Sequence, residues 1–277
     1  QKTAYEIKEC DWSSDVCSSD LVVGPALAGF LIASIGIAGS FFLQGLLYLG
    51  AGLFVYLIAF PPRQARSGKA SAWSEMKAGL AYASHDPTTR LLMTVAAIQY
   101  FVLVPLFNTL FPVFAKDVFA TGPQGLGLMF TMVGAGGVAG GLAAGALMRF
   151  DRIGLIQAGA MLFFCVSLGA LALSPTFALA LAACAACGAA EMVVSVNNQT
   201  MLQMSAPPEM RGRIISLIQL NPALIAGGSF ISGPMGDALG ARGAVSVSAA
   251  VGTLIVLVML ARSPAFRGLR LSRYRQA

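Results

Sequence analysis

Eight long apolar stretches constrain this chain more than any other feature of its sequence. They cover residues 22–37, 40–60, 91–114, 125–148, 153–173, 176–204, 214–235 and 244–261. A bilayer core about 30 Å thick needs about 20 apolar residues at about 1.5 Å of rise each, and every stretch reaches or approaches that length. Lipid-exposed backbone must satisfy its own hydrogen bonds, and the alternation of a barrel strand is absent. The sequence therefore predicts an all-α integral membrane protein with eight transmembrane helices.

The charged residues indicate orientation rather than nucleic-acid binding. The net charge is +6, but only 11% of residues are charged and the mean hydropathy is +0.75, which a soluble domain cannot carry without exposing apolar surface. The segments between stretches alternate sides, and fourteen basic residues fall on one side against two, Lys116 and Arg242, on the other. The positive-inside rule then places residues 61–90 and the C terminus in the cytoplasm. We expect no nucleic-acid partner.

The first 21 residues differ in character from the rest of the chain. They read QKTAYEIKECDWSSDVCSSDL, with two lysines against five acids and no apolar run, so they lack the pattern of a secretory signal. The runs QKTAYEI and DWSSDVCSSDL resemble the translation of a short-read sequencing adapter. We predict that residues 1–21 are a non-native leader and that the polypeptide proper begins near Val22, with a genuine disordered leader as the alternative.

The cysteines and the single histidine do not form a recognisable metal or redox motif. Cys184 and Cys187 make a CAAC run inside an apolar stretch, and Cys165 lies in another. With no second pair and no histidine nearby, small packing residues are the better interpretation. His85 stands in a polar stretch without a partner, which favours a solvated residue over a pH sensor. We predict no metal site and no cofactor.

The polar stretch 61–90 separates the first two apolar stretches from the other six. Its first part, PPRQARSGKAS, has the composition of a flexible connector. Trp73, Met76, Leu80 and Ala83 then recur at helical spacing, which predicts a short interfacial helix with those residues on one face.

Five short motifs, in chain order, resemble members of the Major Facilitator Superfamily. They are GPALAG at 24–29, HDPTTRLL at 85–92, LFPVFAKDVF at 110–119, GLGLMF at 125–130 and PPEMRGRIISL at 207–217. Together they are similar to the bacterial efflux subgroup that includes the enterobactin exporter. The resemblance implies a bacterial inner-membrane protein and helices five to twelve of a twelve-helix fold, with four helices missing upstream. It also implies the division of the chain: 22–60 end an N-terminal bundle, 61–90 form a cytoplasmic linker, 91–262 form a six-helix C-terminal bundle, and 263–277 form a basic cytoplasmic tail.

A Gly-Pro pair offers an internal check on this resemblance. The two halves of the superfamily are parallel repeats, so helix five should match helix eleven. Gly24 and Pro25 recur as Gly233 and Pro234 in the corresponding stretches. The match supports the assignment but is short.

Charged residues at two of the predicted cytoplasmic turns are candidates for gating. The resemblance predicts a GxxxDRxGRR-like signature after stretch 125–148, but the turn reads GALMRFDRIG, with Met148 where an acid is common. The turn keeps part of the charge network that this signature forms in the superfamily. In the second turn, within PPEMRGRIISL, the resemblance implies charges that bridge helices on the cytoplasmic face. The candidates are Arg149, Asp151, Arg152, Glu209, Arg211 and Arg213. Arg211 and Arg213 could equally anchor the chain on lipid phosphates.

Glycines at four-residue spacing mark a packing face in stretch 125–148. They are Gly136, Gly140, Gly137, Gly141 and Gly145. Such spacing lets two backbones approach and gain dispersion contacts where lipid offers no hydrophobic drive. The face serves either static packing or sliding between two states.

Glu191 is the only acid deep within any of the eight stretches. A carboxylate in hydrocarbon is costly, so it should face the bundle interior and be paired or protonated. Pro105 and Pro222 should break their helices and free carbonyls toward a cavity. We predict a proton and substrate site formed by Glu191, Ser195, Asn198, Gln99, Asn108, Gln219 and Asn221. The alternative is a structural polar residue satisfied by a neighbouring helix.

These observations predict a secondary transporter rather than an enzyme. No nucleotide motif is present, so an ion gradient would supply the energy. The expected activity is proton-coupled efflux of a small amphipathic molecule, such as a siderophore or drug, by alternating access. Its partners would be that substrate, protons and membrane lipid, with a monomer expected. An intramembrane enzyme and a non-transporting scaffold are the alternatives, and the 277-residue chain by itself, as a fragment, is expected to transport nothing.

Overall fold

The computed structural model of the chain describes residues 35, 39–57, 72–147, 149–205, 207–218 and 220–269. Within those ranges the chain is helical, with short turns and no strand. The helices are α1 Gly39–Leu57, α2 Ala72–His85, α3 Pro87–Ile98, α4 Pro105–Val113, α5 Gly122–Leu147, α6 Ile153–Leu173, α7 Phe177–Ser205, α8 Pro208–Ile218, α9 Asn221–Arg262 and α10 Pro264–Arg267. The π-helical turns Gln99–Leu103 and Phe114–Val118 follow α3 and α4. The predicted first helix, with Gly24 and Pro25, lies outside the described residues.

Six helical segments in the described part of the chain are long and apolar enough to cross a bilayer. They are Gly39–Leu57, Pro87–Val118, Gly122–Leu147, Ile153–Leu173, Phe177–Ser205 and Ser216–Arg262. The all-α membrane fold is confirmed, while the count of eight stays a prediction. The last segment contains two predicted stretches. Its helix α9 has 42 residues and would be about 63 Å long if it were straight, which is twice the thickness of a bilayer core.

Gly240 divides α9 into two arms, residues 221–239 and 241–262. Its φ of 72° and ψ of 162° lie in a region that glycine alone adopts readily. Ser232 on the first arm and Ser248 on the second line one cavity, so the arms fold back on each other. Each arm is therefore long enough to cross the bilayer once.

The predicted stretch 214–235 is two helices rather than one. Helix α8 ends at Ile218, and α9 starts at Asn221 with Pro222 in its first turn. Proline lacks a backbone N–H, so it fits a first helical turn, where that donor has no partner, better than a helix interior. Pro222 thus starts a helix here instead of kinking one.

Helices α5 and α7 pack with their backbones in direct contact. A Cβ at Gly136 would overlap the carbonyl of Ala185, one at Gly140 that of Ala189, and one at Gly188 that of Val133. By contrast, the Cβ positions of Gly137 and Gly141 meet the Met192 side chain at ordinary contact distance, 3.7 Å, and that of Gly145 meets open space. One of the predicted glycine pairs, Gly136 and Gly140, therefore forms the helix contact.

One end of the bundle carries most of the described basic residues, and we call it the basic end. Here α2 packs on α8, since a Cβ at Gly79 would lie 3.2 Å from the backbone carbonyl of Arg213. The Leu269 carbonyl accepts a hydrogen bond from the Gly154 backbone N–H at 3.3 Å, so the chain after α10 folds back under α6.

The predicted face of the α2 helix is only partly correct. The helix itself is present, but Leu80 is 61% exposed while Ala83 is 4% exposed, so these two residues do not share an environment. The packed face instead carries the buried Gly79 and Ala83, one turn apart, because α8 approaches from that side.

Arg242 ties the opposite end of the bundle together. Its guanidinium donates to the carbonyls of Ala172, at 3.2 Å, and Ser174, at 2.8 Å, and lies 5.9 Å from the centroid of the Phe119 ring. These carbonyls end α6, where backbone acceptors have no partner within the helix and the dipole favours a cation. Arg242 thus connects α9, α6 and the turn after α4.

Replacing Arg242 by alanine should lower the thermal midpoint of unfolding in detergent by about 3–6 °C, since hydrogen bonds to a charged group contribute about 1.5 kcal/mol or more. Arg262→Ala, at an exposed side chain of the same helix, is the matched control and should shift the midpoint by less than about 2 °C. Equal midpoints for the two variants would contradict the role assigned to Arg242.

Candidate functional site

The site begins with the helix break at Pro105. Proline has no backbone N–H and its ring crowds the carbonyl four residues earlier, so regular α-helix cannot continue through it. The chain responds with the π-helical turn Gln99–Leu103, in which the Val104 N–H donates to the Gln99 carbonyl at 2.9 Å. The break that Pro105 predicted therefore takes the form of a widened turn, a feature found often at functional sites.

The widened turn brings two consecutive side chains to one hydroxyl group. Gln99 Nε2 donates to Ser195 Oγ at 2.9 Å, and the Tyr100 hydroxyl lies 2.9 Å from the same Ser195 Oγ. Gln99 Nε2 also lies 3.4 Å from the backbone carbonyl of Glu191. Gln99 and Ser195 are buried and Tyr100 is half-buried, so this cluster fastens the α3–α4 segment to the middle of α7.

Glu191 is the fifteenth of the 29 residues of α7, near the middle of the helix. It is half-buried, and among the residues that the structure describes none donates a hydrogen bond or ion pair to its carboxylate. Ser195 follows it by four residues and therefore lies on the same helix face. The acid thus stands one turn from a cluster of neutral hydrogen-bonding groups.

A cavity of about 330 Å³ adjoins this cluster. It is lined by Tyr100, Gln199, Gln203, Ile218, Asn221, Pro222 and Ile225. These residues belong to the π-helical turn, the last turns of α7, the end of α8 and the start of α9. The cavity therefore lies toward the basic end, with neutral polar groups on the α7 side and apolar groups opposite.

Sequence reasoning missed three of the residues that form this site: Tyr100, Gln199 and Gln203. A signal for two of them was present, because Glu191, Ser195, Gln199 and Gln203 follow one another at four-residue spacing. Such spacing places all four along one face of α7. We call these four residues the α7 stripe. No comparable signal existed for Tyr100, since its position depends on the π-helical turn.

The structure brings together some of the predicted site residues and separates others. Gln99, Glu191 and Ser195 form the cluster, and Asn221 lines the cavity. Asn198 is buried, with no hydrogen-bond partner for its Oδ1 among the described residues. Asn108 is exposed, and Gln219 lies outside the described residues.

A second polar contact joins α7 to α6. Gln157 of α6 donates from Nε2 to the Val194 carbonyl at 3.1 Å. Asn197, one turn beyond Val194, is 1% exposed, and neither of its side-chain polar atoms has a partner among the described residues. This contact fixes α6 against α7 and stands apart from the cavity.

The charged candidates whose side chains are described, Arg149, Asp151, Arg152 and Arg213, do not line the cavity. Arg149, Asp151 and Arg152 are exposed between α5 and α6. Arg213 is half-buried in α8 and lies 3.5 Å from the Met210 sulfur, while the side chains of Glu209 and Arg211 lie outside the described part. Cys165, Cys184 and Cys187 are buried free thiols, and the described residues hold no group of three potential metal ligands.

Comparison with known proteins identifies one family and several relatives. The sequence profile of the Major Facilitator Superfamily matches residues 20–224. The multidrug efflux pump Tap of Mycolicibacterium fortuitum is 24% identical over 226 residues, which are 79% of this chain and 54% of Tap. The enterobactin exporter EntS of Shigella flexneri is 27% identical over 251 residues, which are 86% of this chain and 57% of EntS. The EntS of Escherichia coli O139:H28 is 25% identical over the same length. The chain thus spans little more than half the length of these relatives.

Proposed function

Because the chain belongs to the Major Facilitator Superfamily, we propose that the protein produced from its source gene works as a secondary transporter that exports a small amphipathic molecule in exchange for protons. The single observation that carries this proposal is the α7 stripe, in which Glu191 stands one turn from a hydrogen-bonded cluster on the wall of a cavity. The superfamily is one of membrane transporters, and Tap and EntS are named for efflux. The family therefore favours transport over the alternative of an intramembrane enzyme.

The lining of the cavity supports an amphipathic substrate. Its volume of about 330 Å³ reaches the lower end of the range of small-molecule pockets. Gln199, Gln203 and Asn221 offer amide donors and acceptors, while Ile218 and Ile225 offer apolar surface. A molecule with a polar edge and an apolar body fits this division, as siderophores and many drugs do.

The proposed orientation places the basic end in the cytoplasm. Positive loops favour that side of the membrane, and Leu269, the last described residue, lies at the same end. The described cavity then opens toward the cytoplasm, where an exporter must collect its substrate. The transport cycle would be alternating access, with Glu191 binding a proton from outside and releasing it inside while substrate moves outward.

Uptake into inverted membrane vesicles tests the proposal. Vesicles containing the protein produced from its source gene are energised, and uptake of radiolabelled tetraphenylphosphonium, an amphipathic cation, and of radiolabelled enterobactin is followed. We expect accumulation of at least one probe that stops when a protonophore collapses the proton gradient. Vesicles lacking the protein are the control. Uptake of neither probe, or uptake that is insensitive to the protonophore, contradicts the proposal.

A further inference from the structure

Tyr100 connects the α7 stripe with the cavity. Its ring lines the cavity, and its hydroxyl lies 2.9 Å from Ser195 Oγ, one turn along α7 from Glu191. Gln199, the next member of the stripe, lines the same cavity as Tyr100. The phenol is therefore placed between the acid and the polar wall of the cavity.

One arrangement of hydrogens satisfies both side-chain bonds of this cluster and leaves one hydrogen for a further acceptor. A serine hydroxyl has one donor and two acceptor positions, and a tyrosine hydroxyl can both donate and accept. Gln99 donates to Ser195 and Ser195 donates to Tyr100, which leaves the Tyr100 hydrogen available to the Gln199 amide oxygen on the cavity wall. In this arrangement the Tyr100 hydrogen is at the end of the series of hydrogen bonds. It alone can therefore turn to a new acceptor without breaking the bonds that Gln99 and Ser195 donate.

The ionised carboxylate of Glu191 is the strongest acceptor within reach. Residues four apart on a helix have Cβ atoms about 5–6 Å apart, so a phenol that already touches Ser195 needs only a small ring movement to reach Glu191. Hydrogen bonds to an ionised acceptor are about twice as strong as neutral ones. No described residue competes for this role, since none donates to the carboxylate here.

Resting on the proposed function, we propose that Tyr100 is the positioning residue that couples the proton on Glu191 to substrate binding. With Glu191 protonated, the Tyr100 hydroxyl stays on Ser195, as in this structure, and turns its hydrogen to the Gln199 amide on the polar wall of the cavity. With Glu191 ionised, the hydroxyl turns to the carboxylate and releases the Gln199 amide for substrate. Substrate then binds the ionised form and leaves the protonated form, which is the order that exchange of substrate for proton requires.

Two transport measurements on Tyr100→Phe test this role, because the variant keeps the ring and removes only the hydroxyl. Exchange of labelled for unlabelled probe at equal concentrations needs no net proton movement, whereas accumulation in energised inverted vesicles does. The probes are tetraphenylphosphonium and enterobactin, and Tyr56→Phe, at an 86% exposed side chain of α1, is the matched control. We expect Tyr100→Phe to lower the ratio of accumulation to exchange by about 10–100-fold, and Tyr56→Phe to leave that ratio within about twofold of the unmodified protein.

A second variant separates coupling from binding. Gln199→Leu should raise the probe concentration for half-maximal exchange, while the ratio of accumulation to exchange at saturating probe stays unchanged. If Tyr100→Phe lowers both activities equally, or neither, Tyr100 has no coupling role and the inference is overturned although the proposed function stands. If the unmodified protein accumulates neither probe, the proposed function fails first, and the inference fails with it.

Discussion

Replacing Gly140 by leucine should disrupt the bundle, with a fall of about 10 °C or more in the thermal midpoint of unfolding in detergent. At this position even a methyl group would overlap the Ala189 backbone, and a helix backbone cannot move aside as a flexible side chain can. The contact repeats at Gly136 and Gly188, so separating the helices at Gly140 also opens its neighbours. In a bilayer this dispersion contact is the main attraction between α5 and α7. Labelling of the buried thiols Cys165, Cys184 and Cys187 during heating measures the transition.

Gly145→Leu is the control for this prediction. Gly145 lies on the same helix, four residues from Gly141, but a Cβ there meets open space. Gly145→Leu adds the same side-chain volume as Gly140→Leu but meets no neighbour. Because leucine also has a higher helix propensity than glycine, the thermal midpoint of unfolding should stay unchanged or rise slightly. Equal losses of stability at 140 and 145 would show that leucine disturbs α5 for a reason other than contact with α7.

Glu191→Gln should abolish proton-driven accumulation of substrate. Glutamine has the size and hydrogen-bonding shape of a protonated glutamic acid, so the variant mimics one state and cannot reach the other. Accumulation in inverted vesicles should fall to the level of vesicles that lack the protein. Exchange of probe, which needs no net proton movement, should persist only at higher probe concentrations, because the variant mimics the protonated form that substrate leaves.

Asp237→Asn is the control acid substitution. Asp237 is exposed on α9 near the bend at Gly240, far along the helix from the cavity-lining Asn221. Its neutralisation should leave accumulation within about twofold of the unmodified protein. If Glu191→Gln accumulated probe as well as Asp237→Asn does, Glu191 would be a structural polar residue.

The apolar stretches and the acid within them could be predicted because each follows from local composition. Twenty apolar residues in a row have few alternatives to a transmembrane helix, and Glu191 stands out among them without knowledge of its neighbours. The contact between Gly136 and the partner helix was indicated by four-residue spacing alone. The spacing did not indicate which of the overlapping glycine pairs makes the contact. Gly137 and Gly141 have the same spacing, but they face the Met192 side chain.

The remaining features depend on backbone geometry that local composition does not determine. Pro105 indicates a break, but proline breaks helices in several ways, and only the π-helical turn brings Gln99 and Tyr100 to the same serine. Pro222 indicates a kink in a helix or the start of one, and the choice depends on where α8 ends. The exposed position of Asn108 likewise follows from the rotation of α4 after the widened turn.

Proton movement driven by substrate alone tests most directly whether Glu191 exchanges its proton for cargo. Proteoliposomes containing a pH-sensitive dye are given a gradient of the transported probe, tetraphenylphosphonium or enterobactin, and no pH gradient. The account predicts that probe leaving through the unmodified protein drives protons the opposite way, and that no such movement occurs with Glu191→Gln. Probe flux without proton movement, or equal proton movement in the glutamine variant, would contradict it.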